Sequence, residues 1–122
     1  MKICISSSGS NKDSLVDARF GRCQYFAIYD GKNFNFIKNE TLQTTRGAGI
    51  AAAQKVTDLD CEILITGNIG PNAFNVLQAT GVKVFTSVFG KTVMKALRDY
   101  QEGKLIQTKV STGGFGRGKR WQ

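Results

Sequence analysis

No histidine occurs in these 122 residues. That removes the commonest general base and metal ligand at neutral pH, and with it every catalytic triad built on imidazole. Cysteine is scarce: Cys4, Cys23 and Cys61 are an odd number, widely spaced and without a CxxC pair. Neither a disulfide framework nor a structural zinc site is expected from that usage. No apolar run approaches the roughly 20 residues of a membrane-spanning helix. The opening Met1-Lys-Ile-Cys-Ile-Ser6 reads as a strand and not as a signal peptide, so a cytoplasmic protein is the expectation. GxSxG, HExxH and Walker A patterns are missing as well. Proline occurs once, at position 71, and what surrounds it organises the chain.

Pro71 follows an apolar run, Ile63-Leu64-Ile65, and a turn containing Gly67 and Gly70. A first helical turn accepts proline, because its missing N–H would have no partner there. Ala73, Phe74, Val76, Leu77 and Ala79 then recur at helical spacing, Gly81 stops the helix, and Val82–Phe85 restarts a strand. The economical reading is two parallel strands joined by a crossover helix. The Gly67–Asn72 turn then lies at the carboxyl end of a strand and at a helix N-terminus, where backbone N–H groups favour an anion.

The rest of the chain fits one domain of ordinary globular composition, with 41% hydrophobic and 21% charged residues. Lys2–Ser6 alternates as a first strand, Cys23–Tyr29 is a second, Asp30-Gly31-Lys32 a hairpin turn, and Asn33–Ile37 a third strand. Lys38–Arg46 reads as a polar connection. Gly47–Val56 is a helix of small residues suited to close packing on a sheet. A third helix spans Lys91–Gln101, closed by Gly103. The order βββαβαβα describes an α/β domain with an antiparallel meander followed by parallel crossovers.

If the first strand pairs with both the second and the fourth, the carboxyl ends of four strands share one edge. Ser6–Gly9, Arg19–Cys23, Arg46–Gly49, Gly67–Asn72 and Thr86–Gly90 collect there, and open α/β sheets bind ligands at that edge. Arg19, Arg22 and Arg46 would surround a glycine-lined hollow with Cys23, whose thiolate the neighbouring cations favour. The chemistry suggested is an anion that also accepts a thiolate ligand. Each residue has a plainer reading: Cys23 as a small buried hydrophobe, the glycines as tight-turn formers, Arg19 and Arg22 as partners of Asp13 or Asp17, Arg46 as a solvated helix-end cation. Cys4 reads as a core residue and Cys61 as a core or surface one.

Asp17-x-Arg19-Phe20-Gly21-Arg22-Cys23-x-Tyr25-Phe26, Gly47-x-Gly49-Ile50-x-Ala52-Ala53-Gln54, Thr66-Gly67-x-x-Gly70-Pro71-Asn72-Ala73-Phe74 and Gly81-Val82-Lys83-Val84 occur in this order over about residues 1–105. Together they resemble the dinitrogenase iron–molybdenum cofactor biosynthesis family, which includes NifX-like proteins and the C-terminal domain of NifB-like proteins. The resemblance implies a ribonuclease-H-like fold over residues 1–103 and non-covalent carriage of a metal–sulfur cluster, of iron–molybdenum-cofactor type or a related Fe–S or Mo-containing kind. It implies donor and acceptor proteins for that cluster as partners. The expected site comprises Ser6, Arg19, Phe20, Gly21, Arg22, Arg46, Gly47, Gly67, Asn68, Gly70, Pro71 and Asn72, with Cys23 as the metal ligand.

Two other classes stand beside a carrier. Residues 104–122 hold five cations and no acid, and the stretch from Thr112 mixes glycine, arginine and aromatics. It reads as a flexible basic tail, either merely solubilising or able to bind nucleic acid by stacking and phosphate neutralisation. A protein-interaction scaffold predicts neither ligand. A nuclease is not expected, because that chemistry needs carboxylates converging on Mg²⁺ and the first strand carries none.

Overall fold

The computed structural model describes residues 1–43 and 47–111. Five strands, β1 (Ile3–Ser7), β2 (Tyr25–Tyr29), β3 (Phe34–Lys38), β4 (Ile63–Ile65) and β5 (Lys83–Phe85), form one mixed sheet in the order β3-β2-β1-β4-β5. β1 pairs antiparallel with β2 and parallel with β4, β2 antiparallel with β3, and β4 parallel with β5. Four strands therefore point one way and β2 runs against them, as the element order predicts.

The helices are α1 (Ala48–Asp58), α2 (Pro71–Ala79) and α3 (Val93–Gln101). α1 buries Ala48, Ala52, Ala53 and Val56, and α2 buries Ala73, Phe74 and Leu77. These pack with Cys4, Phe26, Ile28, Leu64 and Val84 into the core on one face of the sheet. On the other face α3 places Val93, Ala96 and Leu97 against Ile3, Ile5, Ala27, Ile63 and Ile65. Both faces of the central strand are thus covered, and every residue of β1 is buried, which is why Ile-Cys-Ile alternates in direction but not in polarity.

Small departures from the sequence reading have local causes. β2 begins at Tyr25 instead of Cys23, because Cys23 N–H donates to the Phe20 carbonyl at 3.3 Å and closes a turn over residues 20–23. A 3-10 turn, Glu40–Gln43, interrupts the polar connection. It starts where Asn39 Oδ1 accepts the Thr41 N–H at 3.0 Å. α3 starts at Val93 because Thr92 is its N-cap, the side chain accepting from Lys95 N–H at 3.1 Å. At the far end, residues 107 and 108 lie against β5, with Phe85 bridging Gln107 and the Thr108 N–H donating to the Val84 carbonyl at 2.7 Å. The stretch read as a tail therefore begins as an ordered strap; its Gly/Arg-rich end, 112–122, lies outside the described residues. Among the described residues no helix is long and apolar enough to cross a membrane.

Candidate functional site

The segment 17–23 is held to the carboxyl edge of the sheet by main-chain bonds. Asp17 N–H donates to the Ser6 carbonyl at 2.9 Å, Asn68 N–H to Ala18 at 2.7 Å and Phe20 N–H to Asn68 at 3.1 Å. Beneath it, Ser6 Oγ reaches the Asp17 carbonyl at 2.8 Å and Thr66 Oγ1 at 2.7 Å, all buried or nearly so. Gly67 must be glycine: a Cβ there would lie 2.7 Å from the Ala18 backbone and from the Phe89 ring. Ser6, Gly67 and Asn68 accordingly form the foundation on which residues 18–22 sit, and Arg19 is exposed on its outer side.

Above this foundation is a hollow of about 270 Å³ lined by Phe20, Gly21, Arg22, Gly47–Ile50 and Gly70–Ala73. It brings together seven of the residues the sequence singled out: Phe20, Gly21, Arg22, Gly47, Gly70, Pro71 and Asn72. Arg46 lies outside the described residues. The closeness of the walls depends on small residues. A Cβ on Gly21 would come within 2.8 Å of the Gly49 Cα, and one on Gly49 within 3.3 Å of the Ala73 Cβ. Loop, α1 and α2 therefore touch through bare backbone and a methyl group.

Two helices begin at this hollow, and neither is capped by a side chain or carries an acid in its first turn. Their N-caps are Gly47, in the left-handed region at φ 70°, and Gly70. Helix geometry leaves the first N–H groups without an intrahelical acceptor, so those of residues 48–50 and of 72 and 73 remain as donors around one space. Among the described residues no acidic side chain lines it. Partial positive charge from two helix ends and the Arg22 guanidinium are features that favour an anion over a cation in such a space.

Cys23 departs from expectation. Its side chain is fully buried behind the turn, and burial, with the Asp17 charge adding to it, pushes the thiol up to about 12. Burial first and the Asp17 charge second thus act against the thiolate that the neighbouring arginines were expected to favour. Asn39, which carries no signal in the sequence, is the residue that holds this turn: its buried Nδ2 donates to the Cys23 carbonyl at 2.8 Å and to Gly21 at 3.5 Å. Ala48, Gly49, Ile50 and Ala73 line the hollow too without being named in the expected site, although Gly49, Ile50 and Ala73 stand inside the quoted motifs and Ala48 and Gly49 inside the segment expected at this edge. Among the described residues no three of Cys, Asp and Glu converge as a metal-ligating group, and Cys4 and Cys61 lie in the core beside α1.

Known proteins share the sequence pattern and the fold. The family model described as dinitrogenase iron–molybdenum cofactor matches residues 1–103. The apo form of the orange protein from Desulfovibrio gigas superposes with a TM-score of 0.89 at 33% identity, over 92% of this chain and 96% of that one. A Thermotoga protein provisionally named NifB superposes at 0.77 with 34% identity, over 92% and 98%. An uncharacterized protein of Methanocaldococcus jannaschii is 28% identical over 98 residues, 76% of this chain and 82% of its own.

Proposed function

Since the chain belongs to the dinitrogenase iron–molybdenum cofactor family, we propose that it is a non-catalytic carrier of an anionic metal–sulfur cluster, held in the hollow between the starts of α1 and α2. The observation that carries this reading is the pair of uncapped helix N-termini opening on one acid-free space beside Arg22. An anion near such a helix end is stabilised by about 0.3–1 kcal/mol at exposed sites and up to about 2 when partly buried. Charge-assisted bonds from Arg22 add to it. The similarity to a protein whose structure is of an apo form, a state defined by a missing bound group, supports the same reading.

The cluster is cargo here and brings its own sulfur. The lining offers N–H donors and a guanidinium, which suit sulfide and oxide surfaces, and Cys23 is the single thiol close behind the wall. The strand order supports a ribonuclease-H-like reading of the fold, but β1 holds Ile, Cys and Ser where a nuclease needs a carboxylate. A carrier role implies donor and acceptor proteins at the same edge.

The test is anaerobic equilibrium dialysis of the full chain against tetrathiomolybdate. We expect saturable binding, weakened roughly tenfold by Arg22→Ala, as befits loss of charge-assisted bonds, and abolished by Gly21→Ala, whose methyl group meets Gly49. Binding unchanged in Gly21→Ala sinks the site. Cys23→Ser decides the ligation question: undiminished binding means the anion is held by the wall alone, whereas loss of binding in a folded protein makes Cys23 a ligand.

A further inference from the structure

The sheet has two edges, and they are treated differently. At β5 the strap at 107 and 108 bridges the edge. β3 has no neighbour beyond it among the described residues, so its outward main-chain groups can be identified. Asp30 N–H bonds the Asn33 carbonyl at 3.2 Å and Asn39 N–H the Gln24 carbonyl at 2.9 Å, in a register pairing Tyr29 with Phe34 and Tyr25 with Lys38. Bonded and non-bonded pairs alternate in an antiparallel ladder. Residues 33, 35, 37 and 39 therefore turn their N–H and C=O toward β2, and Phe34, Phe36 and Lys38 turn theirs outward.

Two of these residues, Phe34 and Phe36, point their side chains to the α3 face. There Tyr29, Phe34 and Phe36 form an aromatic row, with centroids 5.2 and 5.7 Å apart, packed against the core but only partly buried. A single helix covers this face and leaves the β2–β3 end of the sheet less protected than the α1–α2 face. Within β3 the only charge is Lys38. Its flanks carry exposed Lys32 on one side and exposed Glu40 on the other.

The geometry points to a second copy of this chain as the occupant of the edge: two molecules pair β3 against β3, antiparallel, about a two-fold axis through Phe36. In that register Phe36 faces Phe36 of the other copy and Phe34 faces Lys38, so every outward N–H and C=O of the strand meets a partner. The rows of aromatics join into one strip. Just beyond the strand ends, Lys32 in the hairpin turn of each copy is brought toward Glu40 at the start of the 3-10 turn of the other, setting opposite charges near both ends of the seam. A slip of two residues in either direction removes both charge pairs and leaves outward groups unmatched. An isologous seam of this kind closes after two copies, and the strap at 107 and 108 partly occupies the β5 edge, which makes that edge a poorer template for further pairing. Because the strands run in opposite directions, the two cargo hollows lie at opposite ends of the ten-stranded sheet and do not obstruct each other.

The experiment is sedimentation equilibrium of the full chain from micromolar to millimolar concentration, joined to amide hydrogen exchange at both extremes. We expect a monomer–dimer equilibrium, with the Phe34, Phe36 and Lys38 amides in fast exchange when dilute and protected when concentrated. Lys32→Glu should weaken the dimer about tenfold, since two exposed ion pairs are replaced by like charges. The double variant Lys32→Glu/Glu40→Lys should restore it. A monomer at every concentration overturns the proposal, as does a dimer in which those three amides stay unprotected or in which the charge swap fails to restore association. The outcome is independent of whether the hollow binds a cluster.

Discussion

Gly21 approaches the Gly49 backbone with no room for a side chain of its own, while a Cβ on Gly49 would crowd the Ala73 methyl; these contacts set the width of the hollow. Both glycines were visible in the sequence as members of short glycine motifs, because a missing side chain is as legible as a present one. Asn39 was not. It follows a strand in a polar stretch, and its partners at Gly21 and Cys23 stand 18 and 16 residues away, so nothing local marks it. The same fold that buries Asn39 reverses the expectation for Cys23. A thiol pushed up to about 12 has about a thousandfold less thiolate at neutral pH than a free cysteine. Cys23 should therefore resist iodoacetamide at pH 7 in the native protein, as measured by mass spectrometry of the digested chain. Asn39→Ala should cost about 1–3 kcal/mol in urea unfolding, since it leaves the buried Cys23 carbonyl without its donor. Native Cys23 that reacts like a free thiol would show that the turn is open in solution.

At the scale of elements, the three helices divide by how they begin. α3 is closed by Thr92, whereas α1 and α2 start on glycines with no side-chain cap. The helices themselves were legible from apolar spacing and from Gly81 and Gly103 as stops. The 3-10 turn was not, since it depends on the Asn39 side chain. α3 also carries the most perturbed carboxylate in the molecule. Asp99 is buried on its flank and bonded by Lys91 and Lys95, which hold its carboxyl down at about 2. The i,i+4 spacing of Lys95 and Asp99 can be seen in the sequence, but the burial and the Lys91 contact cannot. A carboxyl depressed from an ordinary 3.8 stabilises the fold fully above that value and loses its contribution as pH falls toward 2. Thermal unfolding should therefore drop between about pH 4 and pH 2, and Asp99→Asn should flatten that part of the profile while lowering the midpoint at neutral pH.

For the whole molecule, the mixed sheet places β1 at the centre, paired on both sides and covered on both faces. Amides of β1 should be the slowest to exchange, opening only with global unfolding, and those of β3 among the fastest strand amides under dilute conditions. Native-state exchange by NMR checks this directly; a β3 slower than β1 in dilute solution would contradict the topology. The strand order matches the arrangement in which the first strand pairs with both the second and the fourth, a condition the sequence reading assumed and short connections favour. The location of the hollow followed from it, while its depth depended on packing between α1 and α2 that no local pattern reports.

Much of the hollow's wall is main chain: two helix starts, a turn, and glycines that let them approach. On the proposed reading, selectivity rests on shape and backbone donors more than on a set of reactive side chains. Substitutions at exposed Ile50 or Asn72 are then expected to change binding little, while one added methyl group at position 21 should narrow the hollow at its tightest point. By residue type alone such a wall shows an arginine and a hidden cysteine, and its backbone donors leave no mark.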